Sequence, residues 1–217
     1  KGFIPDRVIE AGEKTDEPIR TRGWTHWHHL FNPRQLLWGA LCIKYSTSKT
    51  ALSIFQTINR NAKLSRWDRS QIGGGGSVKD VFYNQALNTL YDYGCRATVS
   101  AKVFLEKEIS SRPIDVSAVV NSHPAQNIEV ENDIYITDPP YGDAVKYEEI
   151  TEFFIAWLRK NPPAEFAHWT WDSRRTLAIK GEDEGFRQGM IAAYRKTAEK
   201  MPDNGIQVLM FTHQSGS

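Results

Sequence analysis

Asp133-Ile134-Tyr135-Ile136-Thr137-Asp138-Pro139-Pro140-Tyr141 is the stretch on which the reading of this chain turns. Its first five residues are a β-type run, rich in β-branched and aromatic side chains. The run stops at two prolines, which lack a backbone N–H and push the preceding residue away from helix. A helix pattern follows: Ile150, Phe153, Phe154, Trp157 and Leu158 fall at i, i+3, i+4, i+7 and i+8. The order is therefore strand, turn, helix. In open α/β sheets ligands bind beyond the carboxyl ends of strands, which is where Asp138-Pro139-Pro140-Tyr141 is expected. A plain proline turn closing a strand also explains Asp-Pro-Pro. Its place between a strand predicted to be buried and a helix favours a site.

The residue types then suggest a ligand. An acid, two rigid prolines and an aromatic at a strand end suit a flat base that carries an exocyclic amine. The amine of adenine or cytosine is a poor nucleophile, because its lone pair is delocalised into the ring. Asp138 is placed to accept one amine N–H and the Pro139 carbonyl the other. Two such acceptors favour a more tetrahedral nitrogen, able to attack an electrophilic methyl. The fixed φ of proline presets the carbonyl. Tyr141 offers a π-face for stacking, typically worth about 1–3 kcal/mol. A base within a duplex cannot enter such a pocket, so it must be flipped out or single-stranded.

Thr137-Asp138-Pro139-Pro140-Tyr141-Gly142-Asp143 resembles the D/N/S-P-P-Y/F/W motif of the DNA amino-methyltransferases, which use S-adenosylmethionine. Asp in first place is usual among adenine-N6 enzymes, Ser among cytosine-N4 enzymes. More widely, the stretches Trp27–Leu37, Phe82–Leu90, Phe153–Leu158 and Met210–His213 are similar to large prokaryotic adenine-specific DNA methylases linked to phage defence. The resemblance implies a Rossmann-like α/β sheet with flanking helices, methyl transfer to the N6 amine of adenine in DNA, and catalytic roles for Asp138, Pro139, Pro140 and Tyr141. It also implies DNA and defence-system subunits as partners.

The resemblance stops at the cofactor. The family holds S-adenosylmethionine with an Asp-Pro-Phe-x-Gly-x-Gly box after its first strand, and no such box occurs here. Gly73-Gly74-Gly75-Gly76-Ser77 is the Gly-rich stretch, followed by a helix pattern but preceded by Trp67-Asp68-Arg69-Ser70-Gln71. A cofactor loop needs a buried strand before it, so a flexible connecting loop is the favoured reading. The chain also begins at Lys1 without a methionine and ends at Ser217, just after the apolar run Ile206–Thr212. The expectation is a piece of a longer polypeptide, inactive by itself. Residues 1–77 would form an irregular and helical N-terminal region, and 78–217 the central and later part of the methyltransferase core.

Composition sets wider bounds. A chain of 217 residues is long enough for a sizeable core. A net charge of +1 gives no global basic signature, so contact with nucleic acid must come from local patches. Cys42 and Cys95 lack a Cys-x-x-Cys partner and read as reduced core residues of a cytoplasmic protein. No run of about 18 apolar residues is present, so no membrane span is expected.

Along the chain, residues 1–24 read as irregular. Asn32 and Pro33 read as N-cap and first-turn proline of a helix with Leu36, Leu37, Ala40 and Leu41 inward. A short helix is placed near Ala51–Ile58, and a second from about Val78 to Tyr93 with Phe82, Ala86, Leu87 and Leu90 inward. Asp115–Val120 reads as a strand, residues 161–182 as loop, and Glu184–Lys200 as a helix presenting Phe186, Met190, Tyr194 and Ala198. Pro202-Asp203-Asn204-Gly205 then turns the chain into the last strand.

Other residues carry two readings each. Tyr147 either walls the base pocket or caps the following helix. His213 either touches substrate or cofactor, or bonds a neighbouring loop. His26, His28 and His29 suit a packed aromatic turn better than a metal. Arg174, Arg175, Lys180 and Arg187 read equally as phosphate contacts or as solvated surface. Two functional classes result: an S-adenosylmethionine-dependent DNA adenine methyltransferase, or a catalytically inactive methyltransferase-like module that binds nucleic acid or a partner protein.

Overall fold

A computed structural model describes residues 2–47, 58, 62–63, 66–68, 77–79, 112–113, 115–140, 146–180 and 184–210. The chain forms two compact units, Lys1–Ala118 with Thr151–Asp172, and Val119–Ile150 with Ser173–Ser217. The helix expected near Ala51–Ile58 lies outside the described residues except for Ile58, which is helical and buried.

The first unit opens with a helix where irregular chain is expected, α1 (Asp16–Arg22). Asp16 and Glu17 in its first turn, and Arg20 and Arg22 in its last, complement the helix dipole. Gly23 ends it in the left-handed conformation (φ 65°), which glycine adopts without a Cβ penalty. With only seven residues α1 shows no apolar period, which hid it in the sequence. A 3-10 turn (Trp27–Leu30) leads into α2 (Pro33–Lys44). The start of α2 is a full capping box. The Gln35 N–H donates to Asn32 Oδ1 (2.9 Å), and the Asn32 N–H donates to Gln35 Oε1 (2.8 Å).

The face that α2 buries differs from the expected one. Gln35, Gly39 and Ile43 are buried, whereas Leu37 is 61% exposed and Leu41 46%. Gly39 explains the rotation. A Cβ there would stand 2.6 Å from Trp157 Cη2, so the helix offers its bare backbone to an indole. That indole belongs to α3 (Tyr147–Leu158), which buries Phe153, Ala156, Trp157 and Leu158 but leaves Ile150 exposed. Phe31 lies edge-on to Trp157 (5.2 Å between ring centroids) and stacked on Phe153 (6.0 Å), and Trp27 meets Phe153 edge-on (5.8 Å). Aromatic pairs of this kind add about 0.5–1.5 kcal/mol beyond the area they bury. Ile9, Leu30, Ile43, Ile58 and Ala62 complete the cluster. The Asn161 side chain donates to Ile43 O (2.9 Å) and so ties the end of α2 to the chain after α3.

Two short strands, β1 (Arg66–Asp68) and β2 (Ser77–Lys79), pair antiparallel with Trp67 opposite Val78. The helix expected from about Val78 therefore does not begin there, since Val78 and Lys79 are strand residues; its remainder lies outside the described residues.

The second unit is built on β3 (Ile134–Thr137) and β4 (Ile206–Leu209). They are parallel neighbours in register Ile134↔Ile206 to Thr137↔Leu209. Parallel partners require a crossover, and here it carries α3, two 3-10 turns (Ala164–Phe166 and Arg175–Leu177) and α4 (Glu184–Glu199). α4 packs on the 3-10 turn Ala125–Asn127 and buries Ala193 and Thr197, while Ala198, expected inward, is exposed. Asp115–Val120 is not a strand. It is irregular and open, with Val119 84% exposed, because no strand among the described residues pairs with it.

Candidate functional site at the end of β3

The motif begins where the β3–β4 ladder ends. Thr137 is the last residue of β3, and its carbonyl accepts the Met210 N–H (2.9 Å), the final bond of the pair. Asp138 follows directly and is exposed, with Pro139 and Pro140 half-buried behind it. An exposed acid with two rigid residues after it stands where solvent and an incoming ligand can reach it. Tyr141 and His213 lie outside the described residues.

The supporting strand is less buried than the sequence suggests. Tyr135 is buried, but Ile134 is 59% exposed and Ile136 68%. The two faces differ because only one is covered. On the covered face the Tyr135 hydroxyl reaches the carbonyls of Val130 (2.9 Å) and Lys200 (3.2 Å), and Thr197 Oγ1 donates to Gln207 Oε1 (3.4 Å). On the other face Ile134 lies beside Ile206 and Ile136 beside Val208, and all four are exposed.

Tyr147 is the first residue of α3 and is exposed. Just before it, the Lys146 carbonyl accepts the N–H groups of Glu149 and Ile150 (3.1 Å each), the first bonds of the helix. Glu149 is buried in the same turn, and Lys180 stands 4.0 Å from Glu148. Sequence periodicity passed over Glu149 because it took Ile150 as the inward residue. Carboxylates in a first helical turn complement the helix dipole, which accounts for both acids structurally.

The basic residues differ in their surroundings. Arg187 grips Glu184 through two bonds (2.5 and 2.7 Å), which hold the Glu184 carboxyl below its usual range. Arg175 is buried, and Arg174, in the left-handed conformation (φ 47°), donates to Ser122 O at 3.5 Å. The Gly-rich stretch sits between antiparallel partners β1 and β2, and Ser77 opens a strand rather than a helix. A loop of the dinucleotide-binding kind joins a strand to a helix. The described residues that flank the Gly-rich stretch therefore lack the strand–helix arrangement of such a loop.

Two further groups of chemically active side chains are in the first unit. Burial pushes the Cys42 thiol up to about 11, so it is protonated and unreactive near neutral pH; Cys95 lies outside the described residues. The rings of His26, His28 and His29 lie 4.5–5.3 Å apart. Among the described residues no group of three or more His, Cys, Asp or Glu is arranged to hold a metal ion, and no helix is long and apolar enough to cross a membrane. No protein-family model, curated protein or solved structure matches this chain.

Proposed function

We propose that this chain carries the base-holding part of an S-adenosylmethionine-dependent DNA methyltransferase that acts on the N6 amine of adenine. The observation that carries the reading is Asp138-Pro139-Pro140 standing immediately beyond the last ladder bond of β3, beside a parallel strand. Asp138 accepts one N–H of the flipped-out amine and the Pro139 carbonyl accepts the other. Tyr141 stacks on the ring, and Tyr147 and His213 flank it. The cofactor supplies the electrophilic methyl group and is held outside the described residues. The sheet belongs to a Rossmann-like fold, DNA and defence-system subunits are the partners, and the protein works in the cytoplasm.

A second reading is a methyltransferase-like module that binds nucleic acid or a partner without catalysis. It is favoured by the placement of the Gly-rich stretch between antiparallel strands. Asp138→Ala in the full-length protein separates the two. Loss of a preorganised acceptor costs about 10²–10³ in rate. Incorporation of labelled methyl into DNA should fall by that factor while the circular-dichroism spectrum is unchanged. An unaltered methylation rate rejects the role of Asp138. The absence of both methylation and calorimetric binding of S-adenosylmethionine in the unmutated protein selects the second reading.

A further inference from the structure

The segment before α1 is held to the rest of the first unit by a short antiparallel contact. The Ile9 N–H donates to Thr25 O (2.8 Å), the Trp27 N–H to Arg7 O (3.2 Å), and Val8 bridges to His26. The three histidines sit on this seam. His28 Nδ1 bonds the Pro5 carbonyl (2.9 Å), so that nitrogen carries the proton. His26 Nδ1 meets the Thr25 hydroxyl (2.9 Å), which can donate or accept. His29 Nδ1 accepts the Thr25 backbone N–H (3.2 Å) and must therefore be bare. Only His29 loses a hydrogen bond when it gains a proton.

The charges around the cluster act in the same direction. The Lys63 ammonium donates to His29 O (2.9 Å) and lies over the Trp24 ring, with Arg22 against the same indole. On the bridging segment, Arg7 is cationic, and Asp6 is paired with Lys160. The charged groups that act on His29 are His28, His26 and Lys63, and each disfavours its protonation.

We infer that His26, His28 and His29 form an acid-sensitive latch, in which protonation of His29 breaks its bond to Thr25 and releases the segment Pro5–Ile9. Burial first, then the neighbouring His28, His26 and Lys63, holds His29 below the ordinary histidine value of 6.5. The sign follows. A histidine whose folded value is depressed contributes stability that is complete above the unfolded value, and that stability is lost as pH falls through the folded one. The latch is therefore shut at neutral pH and opens on acidification below 6.5.

Amide hydrogen exchange in the whole chain tests this, with rates normalised for intrinsic exchange and measured from about pH 7.5 down to about pH 5. Protection at the Ile9, Thr25 and Trp27 amides should fall severalfold, while amides of α4, such as Ala193, keep theirs. In His29→Gln the step should disappear. In His26→Gln it should move to higher pH, because one like-charged neighbour is gone. Protection that stays flat in the unmutated chain overturns the latch, as does a step that persists in His29→Gln. If His29→Gln does not fold, a midpoint unmoved in His26→Gln overturns it instead.

Discussion

Phe153 and Trp157, in the first unit, are 0% and 1% exposed, whereas Ile136, two residues before Asp138 in the second, is 68% exposed. Both regions are rich in large apolar side chains. The first surrounds them with one another, ring against ring, and with the bare backbone of Gly39. The second sets Ile134, Ile136, Ile206 and Val208 on an exposed face of the β3–β4 pair. The stability of this chain should accordingly concentrate in the first unit, and the candidate chemistry should sit on the more lightly packed second. Loops and strand ends that carry function are commonly held by a scaffold whose stability lies elsewhere.

The strongest way to break this contrast is Trp157→Ala. The Trp157 Nε1 has no hydrogen-bond partner among the described residues, so what the substitution removes is packing. Large-to-small changes at such sites cost about 3–5 kcal/mol. Urea denaturation should show the loss as a lowered midpoint. A cost below about 1 kcal/mol, the scale of an ordinary point substitution, would mean that the aromatic cluster is not where the stability lies.

Tyr135→Phe should have a smaller effect, because it removes one hydroxyl from the second unit and leaves the ring in place. Both carbonyls keep a donor from Asn132, its backbone N–H to Lys200 O and its side-chain Nδ2 to Val130 O (3.3 Å each), so neither is left bare. The expected loss is about 1 kcal/mol, again read from the urea midpoint. A loss as large as that of Trp157→Ala would show that the hydroxyl, and with it the seam between β3 and α4, supports far more than its contacts suggest.

The contrast also explains what could be read from the sequence. The start of α2 was legible in Asn32-Pro33, the strands β3 and β4 in their β-branched runs, and α3 and α4 in their helical periods, because these signals are local. The inward face of α2 was not legible, since it depends on Trp157 arriving from a helix more than 100 residues later. Asp115–Val120 carries strand residues but finds no partner strand among the described residues, and pairing is a tertiary property. The position of Asp138-Pro139-Pro140 at a strand end was legible, because proline stops a strand wherever it occurs. The exposure of Ile134 and Ile136 was not, because the same residues suit a strand covered on one face or on both.

Ile136→Thr offers the gentlest and most discriminating comparison. Threonine is β-branched like isoleucine, so strand propensity is kept and only apolar surface is exchanged for a hydroxyl. At a site this exposed the change should cost less than about 0.5 kcal/mol in urea denaturation. The same apolar-to-polar exchange within the aromatic cluster would strand a hydroxyl among rings and cost several times more. If Ile136→Thr costs as much as a core substitution, the face of Ile134, Ile136, Ile206 and Val208 is covered in solution. The contrast between the two units would then vanish, and Asp138 would stand at the end of a strand buried on both faces.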